Sequence, residues 1–290
     1  MTDFEQVPDP TLYAAPLFLA LLLLEVWLLA RLRRTGSDVL GYVDHRDTLA
    51  SLAMGIGSLL FVTLINWGVF ELASLLYPHR LFALPETSPL TWAIAIVGWD
   101  FGYYWHHRVE HEVRLFWACH VNHHSSQKYN LSTALRQPWT PFLSFVMYPP
   151  LALLGVPPWM ILVSGGLNLV YQFWVHTEAI GRMPRWFEWT FNTPSHHRVH
   201  HGSNAPYLDK NYGGIFIVWD RLFGSFALEE ERVVYGLTKN ITSYNPLVIA
   251  THEYVAIAKD VARSKSAREV LGYTLGRPGW TPKRAPEEPV

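Results

Sequence analysis

The sequence predicts an all-α, integral membrane helical bundle, about three full spans plus a helical hairpin, closed by a cytoplasmic histidine-rich metal-binding cap. Three observations predict it. Half of the 290 residues are hydrophobic and only 16% are charged, a lower charged share than a soluble enzyme normally carries. The apolar residues come in long blocks, without the spread of a soluble amphipathic pattern. Of the 14 histidines, six fall between His106 and His124 and four between His196 and His201. Formal net charge is -1 with no long run of like charges, which argues against nucleic acid and leaves the bilayer as the expected partner. A single cysteine, Cys119, excludes an intrachain disulfide framework and a cysteine-only metal site.

The first block, Leu12 to Ala30, is interrupted only by Glu25 and suits one crossing of a hydrocarbon core about 30 Å thick. No basic region precedes it and no small-residue cleavage site follows, so it is expected to stay as an anchor. Arg31, Arg33 and Arg34 come next, whereas Asp3, Glu5 and Asp9 lie ahead of it; basic residues favour the cytoplasm, which puts the amino terminus outside. Glu25, near the arginine end, is expected to reach the interface by snorkelling. The second block, Leu49 to Phe70, contains Gly55 and Gly57, which permit close helix packing. His79 and Arg80 then fall in an outer loop. The third block, Leu90 to Trp105, carries Asp100 and returns the chain to the cytoplasmic face as a helix that continues past the bilayer.

Two shorter blocks, Phe142 to Gly155 and Trp159 to Trp174, flank the turn signal Pro157-Pro158 and read as two helical arms of a hairpin. Each is shorter than the roughly 20 residues of a full span. A hairpin of either depth leaves the chain on the side it entered, so the histidines before and after it share one face. The implied division is 1–89 for N-terminal anchor helices, 90–230 for a catalytic domain with the membrane hairpin at 141–175, and 231–290 for a C-terminal cytoplasmic segment. The proline-rich last dozen residues read as a loose tail.

Histidines 107 and 111, in HRVEH, are four apart on a predicted helix and project from one face. His120, His123 and His124, in HVNHH, and His197, His200 and His201, in HRVHH, use spacings of three and four, which again stack ligands over a turn. A lone histidine is more often a hydrogen-bonded core residue than a ligand. Eight at such spacings are different, because buried imidazoles repel one another when protonated and leave nitrogens unsatisfied when neutral. A shared metal relieves both problems, and eight or nine ligands exceed the coordination of one ion. Imidazole suits Zn, Cu, Fe and Ni alike, so the residues alone leave structural zinc open. A redox metal is favoured because apolar substrates offer no group for a Lewis acid to polarise.

At these residues the chain resembles the fatty acid hydroxylase and sterol desaturase superfamily, marked by one HxxxH and two HxxHH boxes. It is similar within it to the alkylglycerol monooxygenase family and its bacterial relatives, through HVNHHSSQKYNLSTALRQ, FWVHTE, FNTPSHHRVHHG, DKNYGG and WDRLFGSF, which lie between Asp100 and Phe226. The resemblance implies an oxidoreductase, a membrane-bound monooxygenase of lipid metabolism. Two non-haem iron ions would be held by the eight box histidines, with His176 as a ninth ligand and His196 as a ligand or an orienting neighbour; His106 reads as structural. Glu112 matches an acid of the alkylglycerol monooxygenase pattern and is, with Asp100, a candidate catalytic residue. Asp100, Asn122, Asn192, Asp209 and Asp220 are candidates to orient ligands, and Trp99, Tyr103, Trp174 and Trp219 to line a lipid entrance.

O2 and a lipid are the implied substrates, with hydroxylation beside the oxygen of an ether lipid releasing an aldehyde and an alcohol. No flavin, nicotinamide or haem fingerprint is seen, so a separate electron donor is expected; in the alkylglycerol monooxygenase family it is tetrahydrobiopterin. The rival readings are hydroxylation or desaturation of a sterol, carotenoid or other lipid, and a non-enzymatic membrane metal-binding or transport protein.

Overall fold

The computed structural model describes residues 3–34 and 44–282. Among these every regular element is helical, and the extended pairings are isolated bridges joining Phe191 to Phe216 and Gly202 to Tyr235. Helices α1 (Pro10–Arg34) and α2 (His45–Leu76) are 25 and 32 residues long. At 1.5 Å per residue they extend about 38 and 48 Å, beyond the ~30 Å of a hydrocarbon core. Both are apolar enough to cross a membrane. They turn leucines outward: Leu17, Leu23 and Leu24 on α1 and Leu59, Leu60 and Leu64 on α2 are exposed. Such a surface is unfavourable in water and compatible with lipid tails.

Helix α3 (Pro89–Glu112) begins at Ser88, whose hydroxyl accepts from the Leu90 amide, with Pro89 in the first turn where no amide donor is needed. It carries the Leu90–Trp105 block and runs on into the histidines. The helices that qualify as spans by length and hydropathy among the described residues are α1 and α2, and α3 is not one of them.

The hairpin departs from the expected pair of arms. Its first arm is α5 (Ser144–Met147), a 3-10 segment from Pro149 to Leu154, and a left-handed turn at Gly155, φ 98°. Pro149 and Pro150 lack amide donors, so no α-helix passes through them. The second arm is one helix, α6 (Pro158–Phe173). At the tip the Leu81 amide donates to the Leu153 carbonyl at 2.7 Å, and Trp159 Nε1 to Glu86 at 3.3 Å. The hairpin therefore reaches as far from the histidines as the loop joining α2 to α3.

Ile65 and Val69 of α2, Trp99 of α3, and Leu151, Met160 and Ile161 of the hairpin form the main core. Helix α1 lies against α6, with Phe18 stacked on Phe173 at 4.1 Å. Gly55 and Gly57 do serve close packing, though against a loop: a side chain at Gly55 would strike the Leu135 carbonyl, and one at Gly57 the ring of Trp139. Glu25 does not snorkel. It is 6% exposed, and its carboxylate accepts from the Leu131 amide at 2.7 Å and from the Thr177 hydroxyl. Burial against two loops satisfies it where the interface was expected to.

Helix α4 (Arg114–His124) follows α3 across a break at Val113. Short helices α7 (Arg185–Thr190), α8 (Pro194–His200) and α9 (Val218–Phe223) build the rest of the cap, followed by α10 (Pro246–Ala262) and α11 (Ala267–Leu275). Arg114 fastens the last two: its side chain donates to Glu253 and Asp260, both at 2.7 Å, and its amide to the Gly276 carbonyl at 2.9 Å. Of the predicted tail, residues 283–290 lie outside the described residues, while Trp280 returns onto Tyr273, ring centroids 5.2 Å apart.

Candidate metal centre

The end of α3, all of α4, the end of α6 and α8 converge, and nine imidazoles meet there in two groups. His107, His111, His120, His124 and His200 form one, and His123, His176, His197 and His201 the other; within each, one ligand nitrogen per residue lies within 4.8 Å of all the rest. All nine are buried. Helical periodicity explains the sorting. Positions i+3 and i+4 lean to opposite sides of residue i, about 100° apart around the helix, so His120 and His124 serve one group while His123 reaches the other. In the third box the assignment is exchanged: His197 and His201 join the second group and His200 the first.

Contacts between rings run through Nε2. His120 Nε2 is 3.0 Å from that of His107 and 3.1 Å from that of His124; His176 Nε2 is 3.2 Å from that of His123 and 2.9 Å from that of His197. Two nitrogens bound at right angles to one ion at about 2.0–2.1 Å would stand about 2.9 Å apart. Nε2 of His111 and of His200 has no hydrogen-bond partner. The opposite nitrogens are occupied. Nδ1 of His107 faces the Tyr212 carbonyl at 2.8 Å, that of His123 the Arg136 carbonyl at 3.2 Å, that of His176 the Gln172 carbonyl at 2.7 Å and that of His200 the Lys210 carbonyl at 3.0 Å. A carbonyl only accepts, so each of these Nδ1 atoms carries the proton and each Nε2 presents its lone pair.

Burial, and after it mostly the neighbouring rings, hold these imidazoles neutral. His107 and His176 are pushed down to about 4 and His123 to about 3, and His111, His120, His124, His197, His200 and His201 lie well below the usual 6.5. Nine neutral donors, four of them with the tautomer fixed from behind, fit a pair of first-row transition ions. Cys119 takes no part: burial, then the charge of Glu110, push its thiol well up, and Sγ donates to the Thr140 carbonyl at 2.8 Å.

The other predicted site residues stand farther back. His196 joins neither group and packs edge-on against Phe226 at 5.4 Å. Asp100 meets none of the nine rings. Its carboxylate accepts from Asn168 Nδ2 at 2.7 Å, the amides of Ile215 and Phe216 at 2.6 and 3.1 Å, and Trp219 Nε1 at 2.9 Å. Asp220 takes the amides of Tyr212 and Gly213, both at 2.7 Å, and Asn192 donates to the Gly213 carbonyl at 2.8 Å. Together they fix the loop whose Tyr212 carbonyl holds His107. Asn122 accepts from the His123 amide at 2.7 Å.

Glu112 sits at the end of α3 with its side chain toward solvent, paired with Arg108 at 3.0 Å and Arg277 at 3.3 Å. Arg277 also meets Asp209 at 3.5 Å, and Asp209 lies 4.0 Å from His111 Nδ1. Trp99 stacks on Tyr148 at 4.3 Å, and Tyr103 lies 5.2 Å from the ring of His107. Sequence reasoning missed Glu110 and Arg136. Glu110 reaches His106 at 3.0 Å and His120 Nδ1 at 3.4 Å. Its position three residues after His107 on the same helical face was the available signal. Arg136, 2% exposed, is anchored by Asp47 at 2.7 Å and Ser51 at 3.1 Å, and so sets the carbonyl behind His123.

Comparison with known proteins agrees with this geometry. The fatty acid hydroxylase family profile matches residues 92–225, a stretch that contains all nine rings. Alkylglycerol monooxygenase of Homo sapiens is 43% identical over 285 residues, covering 96% of this chain and 61% of the relative. Ornithine lipid hydroxylase OlsE of Rhizobium tropici is 30% identical over 146 residues, 49% of this chain and 44% of its own, and lathosterol oxidase of Rattus norvegicus is 30% identical over 156 residues, 48% of this chain and 46% of its own. The chain thus spans less than two thirds of the length of the relatives it matches. No solved structure matches it. Its nine clustered imidazoles, its three boxes and these matches show that residues 92–225 of the chain form a fatty acid hydroxylase domain.

Proposed function

We propose that the chain is a membrane-bound non-haem di-iron monooxygenase that hydroxylates a lipid, an ether lipid of the alkylglycerol class above all. The observation that carries this is the double group of nine buried, neutral imidazoles at the end of helices with lipid-compatible surfaces. Similarity to alkylglycerol monooxygenase along nearly the whole chain supports the substrate class. The five-histidine and four-histidine groups would each hold one iron. With O2, an iron pair supplies an oxidant able to attack an unactivated C–H bond.

The chain's own residues supply order and exclusion. Carbonyls of Tyr212, Arg136, Gln172 and Lys210 keep four rings in the ligating tautomer, and burial keeps protons off them. Trp99, Tyr103 and Tyr148 wall the membrane side, where a lipid chain would approach. Asp100 acts at one remove through the loop it clamps, and Glu112 through Arg277 and Asp209 beside His111. One oxygen atom enters the carbon beside the ether oxygen and the other leaves as water, with two electrons and two protons from a separate donor, tetrahydrobiopterin by resemblance. The resulting hemiacetal collapses to an aldehyde and a free alcohol.

In this reading α1, α2 and the front of α3 cross the bilayer and the hairpin at 141–175 reaches the far side. The arginines at the carboxy-terminal end of α1 favour a cytoplasmic position for the histidines. Residues 1–89 anchor, 90–230 catalyse and 231–290 brace the cap from below. The test is anaerobic purification with metal analysis, followed by an oxygen-dependent assay on a panel of alkylglycerols, sterols and ornithine lipids. About two irons per chain and aldehyde release from alkylglycerols are expected. Folded protein that retains no iron under these conditions, or that oxidises only the other lipids, would overturn the iron reading or the substrate reading respectively.

A further inference from the structure

Five of the nine rings have a hydrogen-bond acceptor within 3.4 Å of Nδ1, and only His120 has a carboxylate there. Glu110 is 4% exposed and, among the described residues, forms no ion pair with a lysine or arginine. One of its oxygens lies 3.4 Å from His120 Nδ1 and the other 3.0 Å from His106 Nε2. His120 in turn directs Nε2 at His107 and His124. His106 joins neither metal group, stacks on Tyr148 at 5.6 Å, and has no partner at Nδ1. Its place is thus to hold the far side of Glu110. In the four-histidine group, His123 and His176 are backed by neutral carbonyls and His197 Nδ1 has no partner.

We propose that Glu110 is a positioning residue for the metal pair: held by His106, it orients His120 and makes the five-histidine site the tighter-binding and more electron-rich of the two. The physical basis is that a carboxylate behind a ligating imidazole fixes its orientation and raises its basicity, and that losing such a partner costs about 10–100-fold in metal affinity. A carboxylate that merely filled space would act on both sites alike or on neither. The inference rests on the reading of the nine rings as metal ligands.

The experiment is a Co2+ titration of detergent-purified, metal-stripped full-length protein, followed by the visible absorption of the bound ion. The parent is expected to take two equivalents. Glu110→Gln keeps an acceptor and loses the charge, and should weaken one equivalent about 10-fold; Glu110→Ala loses both and should weaken the same equivalent about 100-fold. The other equivalent keeps its affinity and its spectrum. In a His120→Ala background, Glu110→Gln should have no further effect, because the residue works through that ring. Two equivalents bound with parent affinity by folded Glu110→Gln, or an effect that persists undiminished without His120, would overturn the proposal. If Glu110→Ala loses its helical signal, the near-isosteric Gln variant and the double variant still decide. A parent that binds no pair of ions would instead overturn the reading of the centre itself, which separates the two failures.

Discussion

Five of the nine rings have a hydrogen-bond acceptor behind Nδ1. His123 and His200 belong to different groups, each with Nδ1 on a backbone carbonyl, so His123→Ala or His200→Ala should abolish turnover and release metal. His79, exposed in the loop before α3, should be silent as alanine; full activity in either of the first two would contradict the ligand assignment. Acid should act on the same rings. They are neutral when folded, with His107 and His176 near 4, whereas the unfolded chain takes protons near 6.5. The unfolded state therefore binds more protons as pH falls. Chelator-treated protein should show a steady melting temperature above pH 6.5 and a falling one from there toward pH 4, measured by thermal unfolding in detergent; a rise on acidification would refute the neutral state. At this scale the clustering of the nine rings was legible, because i, i+3 and i+4 spacing is a property of the chain. The backing groups were not: the carbonyls behind His107 and His200 belong to residues 105 and 10 positions away, and no local pattern reveals such pairings.

Between elements, single polar residues do the joining. Asp100 binds α3 to the loop before α9 through two backbone amides and the Trp219 indole, so Asp100→Ala strands buried donors and should cost at least about 2 kcal/mol. Loss of metal stoichiometry at partial denaturation, before global unfolding, would be the sign. Arg114 binds α4 to α10 and α11. Arg114→Ala leaves two acids without their cation and should expose the junction near Gly276 to limited proteolysis, with α1 to α3 protected; an unchanged digestion pattern would argue against the clamp. The helices α1, α2 and α3 were readable as apolar blocks, and the turn at Pro157-Pro158 as punctuation. The first hairpin arm was misread, because hydropathy does not register that Pro149 and Pro150 deny it amide donors. Glu25 was misread for a similar reason: its partners, Leu131 and Thr177, are more than a hundred residues away.

Across the whole molecule, helices with lipid-compatible surfaces carry a tightly bonded cap. Leu60, near the middle of α2, is 64% exposed, so Leu60→Arg should reduce membrane integration by about 2.5–3.5 kcal/mol, read as protein lost from the alkali-resistant membrane fraction. Undiminished integration would argue against α2 as a span. The exchange of positions between the second and third boxes has a consequence for how the protein is made. Each group draws on the segment from His197 to His201, so neither is complete until residue 201 has left the ribosomal tunnel. The apolar helices α1 and α2 emerge well before it. Ions bound by the two groups would therefore have to be delivered after α1 and α2 were free to enter a bilayer.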